Sequence, residues 1–270
     1  MRTLEARQAS AVKHDQIDIE EQTVKTLQNK VAIVTGASRG IGAGIAQALA
    51  AAGASVIVNY ASSRAAADSV VRDIIGAGGR AIAVQADMSK SIDVRRLFAD
   101  TKTAYGRLDV LVNNAGVYNF GSIESITEAG FHQDFDLNVL GPILATQEAL
   151  RLFTDDGGSI INISSIVSAN PLPQTLVYSA TKAALDVATK VLAKELGAKN
   201  IRVNSILPGA TDTPGNAAGL EGEMGKVMLA ATPLGRFGRA EDIGKVAVFL
   251  SSPESVWITG ETIRVSGGLA

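Results

Sequence analysis

Residues 31–42 read VAIVTGASRGIG, and this stretch decides the architecture. Val31 to Val34 is a short apolar run of the kind buried on both faces of a sheet. From Thr35 the chain becomes glycine-rich and runs into an apolar helical pattern, IGAGIAQALAAAG. A strand, a glycine turn and a helix N-terminus direct free backbone N–H groups and the positive end of the helix dipole at one point, which suits an anion. Gly36, Gly40 and Gly42 match three demands of a dinucleotide turn: a tight bend, close approach of a pyrophosphate, and close packing of helix on strand. Their spacing is G-x-x-x-G-x-G rather than G-x-G-x-x-G, so the turn alone admits either a dinucleotide site or a plain glycine-rich loop.

The same letters contain a rival. Gly36-Ala37-Ser38-Arg39-Gly40 fits G-x-S-x-G, the nucleophile elbow of α/β-hydrolases, which needs an acid and then a histidine downstream. The chain has two histidines, His14 and His132, and only His132 follows Ser38. No HGGG-type oxyanion loop precedes the strand, so the motif order speaks against a hydrolase.

Outward from this unit the pattern repeats. Strands are predicted at Ser55 to Asn59, Arg80 to Gln85, Leu108 to Val112, Ser159 to Ile163, Ile201 to Ile206 and Thr262 to Val265. Between them lie helical patterns at Arg64 to Ile75, Ser91 to Tyr105, Ala129 to Phe153, Thr181 to Leu196 and Ala240 to Ser251. Continuous apolar strands alternating with helices imply a single-domain, Rossmann-type α/β fold, a doubly wound parallel sheet of seven strands with helices on both faces. No linker divides residues 29–270, which form the expected domain. Residues 1–28 are charged, lack the apolar core of a signal peptide, and read as an extension. Residues 210–232, rich in glycine and proline, follow a strand's C-terminal end, where ligands bind in such sheets, and are expected to form a lid.

Composition narrows the chemistry. A net charge of -2 gives no basic footprint for nucleic acid. The absence of cysteine removes disulfides, thiolate catalysis and cysteine-ligated zinc, and two distant histidines without HExxH argue against a metal. The uncharged stretch between Arg39 and Arg64 has the length of a membrane span. Its glycines, Gln47 and Asn59, and the change of pattern at Gly53, mark a buried helix–strand unit instead. A cytoplasmic protein with no membrane partner is expected.

The cofactor is read from the end of the second strand. Roughly 20 residues beyond the glycines a carboxylate would bind a ribose 2′-hydroxyl. Here stand Asn59, Tyr60, Ala61 and Ser62, which tolerate a 2′-phosphate, and Arg39 in the glycine turn can meet it as a cation. This charge pattern favours NADP over NAD. Farther along, Ser165 follows the fifth strand and residues 178–182 read YSATK. Tyr178 and Lys182, at i and i+4, share a helix face. A free tyrosine titrates near ~10, and a nearby ammonium would lower that value.

TGASRGIG, NNAG ending at Gly116, Asn138 in LNVLG, Ser165 in NISSIV, YSATK and PGATDT from Pro208 to Thr213 together resemble the short-chain dehydrogenase/reductase family in order and spacing. The resemblance covers about residues 29–270. It implies that Tyr178 exchanges a proton with the substrate oxygen, that Lys182 lowers the tyrosine pKa and binds the nicotinamide ribose, and that Ser165 hydrogen-bonds the reacting oxygen. Ser164 would serve structure, and Asn138 would hold a water behind Lys182. It further implies a cofactor bed of Gly36, Ser38, Arg39, Gly40, Ile41, Gly42, Asp87, Met88, Asn114, Ala115 and Gly116, with Pro208, Gly209, Thr211 and Thr213 at the nicotinamide end. His132 matches no family site residue. A homotetramer is implied by the C-terminal WITGETIRVSGG, although Ser266 stands where the family often has Asp.

For the substrate, Val117, Tyr118, Phe120, Pro171, Leu172, Leu220 and Met224 supply a mainly apolar lining without an arginine cluster. A neutral ketone, or its secondary alcohol, suits this lining better than an anion. The family also includes 3-oxoacyl-carrier-protein reductases and sugar 1-dehydrogenases, and a non-catalytic NADP-binding sensor is a further alternative. Arg95 and Arg96 would be the candidates for docking a carrier protein.

Overall fold

All four residues of β1 (Val31–Val34) are buried, and they divide by alternation between two cores. Ala32 and Val34 enter one cluster, Val31 and Ile33 the other. The same split separates Val56 and Val58 from Ile57 in β2 (Ser55–Tyr60), and Val110 and Val112 from Leu111 in β4 (Val110–Asn113). Because successive side chains face opposite sides, a continuous apolar strand requires a cover on both faces.

The structure, a computed structural model, describes residues 26–269. Besides β1, β2 and β4 the sheet contains β3 (Arg80–Gln85), β5 (Gly158–Ile163), β6 (Ile201–Pro208) and β9 (Thr262–Val265). The seven strands are all parallel, in the order β3-β2-β1-β4-β5-β6-β9. Two short strands, β7 (Thr211–Asp212) and β8 (Gly238–Arg239), pair separately. The first core packs α1 (Gly40–Ala51), α2 (Arg64–Gly76) and α9 (Ala240–Ser251) on one face. The second packs α3 (Ser91–Tyr105), α5 (Gly141–Ala149) and α6 (Leu176–Leu196) on the other. The predicted fold is the one observed.

Three of the departures from the sequence reading have a local reason. The fourth strand begins at Val110, because Asp109 turns its carboxylate onto the Val31 N–H at 2.9 Å and also meets Lys30 and Arg107. The helix predicted over Ala129 to Phe153 is instead α4 (Glu128–Phe135), a wide turn of π-helix at Asp136–Leu140, and α5. Inside that wide turn Asn138 is fully buried and bonds the backbone of Val117 in both directions. π-Helical turns recur at functional sites. The helix predicted from Thr181 begins at Leu176, which puts Tyr178 in its first turn.

The stretch between Arg39 and Arg64 forms α1 and β2, and no described helix is long and apolar enough to cross a membrane. Residues 1–25 of the expected extension lie outside the described residues. Of its last residues, Leu27 is only 1 % exposed, sits in the first core, and donates its N–H to Ala52 at 2.9 Å. The expected lid region holds β7, α7 (Ala217–Glu221) and α8 (Glu223–Ala231).

Candidate active site

Strand order reverses beside β1: β2 and β3 extend to one side, β4 onward to the other. In such sheets the crevice at this switch point is where ligands bind. A groove of about 340 Å³ opens there. It is lined by Gly36, Ser38, Arg39, Gly40, Ile41, Gly42, Asn59, Ala61, Ser62, Asp87, Met88, Asn114, Ala115, Gly116 and Thr213, all anticipated from sequence. A larger cavity, about 590 Å³, lies at the other end of the strands among Lys30, Asp109, Arg202 and Trp257; of the sequence motifs only the C-terminal WITGETIRVSGG reaches it, through Trp257 and Thr259.

The glycine turn is shaped by contact. Gly36 has φ 62° and packs so closely on Ala115 that a Cβ would come within 2.9 Å of its Cα. A Cβ on Gly42 would lie 2.7 Å from the Gly36 carbonyl oxygen. Thr35 braces the turn from below, its Oγ1 accepting the N–H groups of Asn114 and Ala115, each at 2.9 Å. Asn114 returns the contact through Nδ2, which donates to the Thr35 carbonyl at 2.9 Å. At the start of α1 the Arg39 side chain makes no capping bond, and the first turn carries no acidic residue. The open N–H groups, the dipole and the bare glycines fit a pyrophosphate.

Other predicted residues frame the groove without lining it. Tyr60 is 5 % exposed and belongs to the first core, because its position in β2 turns it to the α1 face. Pro208 ends β6 paired with Val265, and the Gly209 N–H bonds the Val265 carbonyl at 3.1 Å. Thr211 is buried with its hydroxyl on the Gly209 carbonyl at 2.9 Å.

Asn59 reaches the groove but not as a free donor. It is 1 % exposed; its Oδ1 accepts the Gly36 N–H at 3.0 Å, and its Nδ2 donates to the carbonyls of Ala86 at 3.1 Å and Val84 at 3.3 Å. The sequence reading that gave Asn59 a direct part in tolerating a 2′-phosphate is therefore corrected: the amide is spent on the turn. Arg39, Ala61, Ser62 and the unanticipated Ser63 are exposed at that end of the groove.

At the opposite end stand the residues suited to chemistry. Lys182 Nζ lies 5.6 Å from the centre of the Tyr178 ring, is buried, and donates to the Ile163 carbonyl at 2.9 Å. Ser165, at the start of a short helical turn, accepts the Val167 N–H at 3.4 Å and stands close enough to Tyr178 to lower its pKa. Asn138 Nδ2 donates to Thr181 Oγ1 at 3.1 Å, and Thr181 donates to the Tyr178 carbonyl at 2.7 Å. Thr181, inside YSATK, was missed because its role depends on this side-chain relay. Ser164 is buried with its hydroxyl on the Lys182 carbonyl at 3.3 Å, a structural contact. Gly116 closes the gap between groove and lysine: a Cβ there would stand 3.6 Å from Lys182 Nζ and 3.1 Å from Asn138 Oδ1.

The electrostatics of the protein alone differ from the expected tyrosine activation. Burial pushes the Tyr178 hydroxyl up to about 12, opposed by the nearby Ser165, with Tyr118 and Asp134 adding to the rise. Burial also brings Lys182 down to about 8, partly opposed by Asp186. Both groups are thus biased toward their neutral forms. Asp134 on α4 is 1 % exposed, has a raised pKa from burial, and takes a hydrogen bond from Asn119 at 2.5 Å.

The structure adds an aromatic cluster. The Tyr178 ring meets Tyr118 edge-on at 6.2 Å and Phe120 at 5.9 Å, and those two lie 5.6 Å apart. Tyr118, Leu137 and Gly215 also line the groove. His132 lies 60 % exposed on α4, facing Glu128 at 3.9 Å.

Comparison with known proteins agrees with this geometry. A family model described as enoyl-(acyl carrier protein) reductase matches residues 36–270. An uncharacterized oxidoreductase of Methylorubrum extorquens is 54% identical over 245 residues, covering 90% of this chain and 98% of its own length. A hydroxynaphthalene reductase-like protein of Metarhizium robertsii is 38% identical over 261 residues, covering 92% and 97%. A short-chain dehydrogenase from Burkholderia cenocepacia, solved in complex with NADP, superimposes with a TM-score of 0.86 at 38% identity, covering 90% of this chain and 99% of its own. The chain belongs to the short-chain dehydrogenase/reductase family and is an NAD(P)-dependent oxidoreductase.

Proposed function

We propose that the protein is an NADP-preferring carbonyl reductase that interconverts neutral ketones and secondary alcohols. The observation that carries this reading is the meeting of Ser165 and Lys182 at Tyr178, at the Gly116 end of the groove. When bound, the nicotinamide supplies the hydride for reduction, or accepts it in the reverse direction. The glycine turn would hold the pyrophosphate, Arg39 with Ser62 and Ser63 the 2′-phosphate, and Lys182 the nicotinamide ribose.

Tyr178 gives its hydroxyl proton to the forming alkoxide, and Ser165 donates a hydrogen bond to the same oxygen. A hydroxyl held protonated by burial suits the donor in reduction. In the reverse direction Tyr178 must lose that proton, and the neighbouring Lys182 ammonium favours the phenolate. Asn138 supports the lysine side of the site through Thr181 and Val117. Tyr118 and Phe120 offer an apolar wall beside the hydroxyl, which suits a neutral carbonyl compound.

The alternatives receive less support. A carrier-protein substrate would need a basic dock, yet Arg96 is engaged with Asp93 at 2.9 Å and with the Gln85 carbonyl. A sugar substrate would meet few polar partners on the aromatic wall. The cytoplasm is the expected compartment, and a homotetramer the expected assembly. Val187 and Val191, one turn apart on α6, are 61% and 47% exposed, and Trp257 is 96% exposed, which suits burial against further copies. The test is oxidation of NADPH and NADH against ketones, β-ketoesters and quinones, with sugars assayed in the alcohol direction. Turnover with NADPH on apolar ketones supports the reading; preference for NADH or for sugars overturns it. Tight cofactor binding without any turnover would favour the sensor.

A further inference from the structure

Tyr118 touches three parts of the site at once. It follows the Asn113–Gly116 turn by two residues, and its ring stands edge-on to Tyr178 at 6.2 Å. It lines the cofactor groove. Its hydroxyl donates to the carbonyl of Gly215 at 2.5 Å, joining segments 97 residues apart. Gly215 lines the groove from the other wall, two residues beyond Thr213 and just ahead of α7 and α8.

Gly215 is fitted to this contact. A Cβ there would lie 3.3 Å from the Tyr118 hydroxyl oxygen, tighter than most side-chain contacts, so any larger residue makes the hydroxyl shift by a few tenths of an ångström from its place on the carbonyl. Thr213 in turn stands over the glycine turn, 3.4 Å from where a Cβ of Gly40 would be. The segment is thus held over the groove at the pyrophosphate by Thr213 and at the catalytic end by Tyr118.

We propose that Tyr118 is the positioning residue that closes the nicotinamide end of the groove: its bond to Gly215 fastens residues 210–232 to the loop after β4 and opens to admit or release the cofactor. This rests on the cofactor reading of the groove. A single neutral hydrogen bond shifts an equilibrium by about 2- to 12-fold, enough to favour closure and too little to lock it. Closure of this kind gates release in many enzymes. Tyr118 is 47% exposed, so its replacement leaves the core intact.

The experiment is NADPH release, followed by stopped-flow fluorescence without any ketone, in wild type, Tyr118→Phe, Tyr118→Leu, Gly215→Ala and the double variant Tyr118→Phe/Gly215→Ala. Tyr118→Phe keeps the ring and removes the bond, and should release NADPH about 3- to 10-fold faster. Gly215→Ala crowds the hydroxyl and should also speed release, while adding nothing in the Tyr118→Phe background. Wild-type release from Tyr118→Phe alongside fast release from Tyr118→Leu would overturn the proposal, because ring packing alone would then close the site. Fully additive effects of the two single changes would overturn it as well. A wild-type protein that binds no NADPH overturns the cofactor reading and this inference together; unchanged release from Tyr118→Phe overturns this inference alone.

Discussion

Asn59 staples the glycine turn to the sheet: its Oδ1 accepts the Gly36 N–H at 3.0 Å while its Nδ2 donates to Ala86 at 3.1 Å. From β2, one amide ties the loop after β1 to the end of β3. A carboxylate could take the Gly36 bond but would set an anion against the carbonyls of Val84 and Ala86. Asn59→Asp is therefore expected to destabilise the fold by about 2–4 kcal/mol, the cost of an unpaired buried polar group with an added charge. Urea unfolding measures it. Since the side chain is 1 % exposed and its Oδ1 is committed to the Gly36 N–H, the replacement acts first on the fold, and urea unfolding should shift more than the ratio of NADPH to NADH affinity. A stable variant that switches to NADH would return Asn59 to the cofactor site.

In the proposed reading Arg39 carries the cofactor preference instead. It is exposed at the mouth of the groove with Ser62 and Ser63 beside it. Arg39→Ala should weaken NADPH about 10-fold or more, the worth of a hydrogen bond to a charged group, and leave NADH within about 2-fold. Titration of intrinsic fluorescence with each nucleotide decides this. Equal losses for both would assign Arg39 to the pyrophosphate.

Much of this arrangement is legible in the amino-acid order. The apolar run at Val31 to Val34 and its repeats dictate a two-faced parallel sheet, and Gly36 and Gly42 mark a turn where backbone must approach backbone. Periodicity does not report what a polar side chain does once buried. Asn59 and Tyr60 look alike as candidates after β2, yet one is consumed by hydrogen bonds and the other by the core. Tyr118 and Gly215 are 97 residues apart and their bond uses a backbone carbonyl, which no spacing rule marks. The wide helical turn at Asp136–Leu140 likewise depends on Asn138 finding Val117 across the fold.

Tyr178→Phe isolates the proton. The ring contacts to Tyr118 and Phe120 remain and only the hydroxyl goes. Turnover should fall by about 10²–10⁴-fold, the usual contribution of a positioned acid, with NADPH affinity within about 3-fold of wild type. Steady-state rates paired with binding titrations provide the check. Retained turnover would give the proton transfer to another group.

The crossing of α1 and α9 supports the turn from outside. A Cβ on Gly244 would come to 2.9 Å from Ala48 Cβ and 3.0 Å from the Gly44 carbonyl oxygen. Gly244→Val must push the helices apart, which costs roughly 1–3 kcal/mol in a packed core. Since α1 carries the anion end of the groove, thermal melting and NADPH affinity should fall together. A lowered melting point with unaltered affinity would separate the crossing from the site.

Lys182 places a cost on the fold that depends on pH. Burial brings its ammonium down to about 8, against a value near 10.5 in the unfolded chain. Below about pH 8 both states are protonated, and the folded protein bears the whole cost of the buried charge. Between the two values the unfolded chain holds more protons than the native one, so stability rises with pH. Above about 10.5 both are neutral and the cost is gone. Lys182→Met has no such group, so wild type should gain on the variant by roughly 3 kcal/mol between pH 7.5 and 10.5, at about 1.4 kcal/mol per unit. The Ile163 carbonyl, left without its 2.9 Å partner in the variant, adds an offset that does not vary with pH. Urea unfolding of both proteins across that range separates the two effects. A difference that stays flat with pH would mean that Lys182 keeps its proton throughout, and that its ammonium is stabilised in the fold more strongly than its burial beside Tyr178 allows.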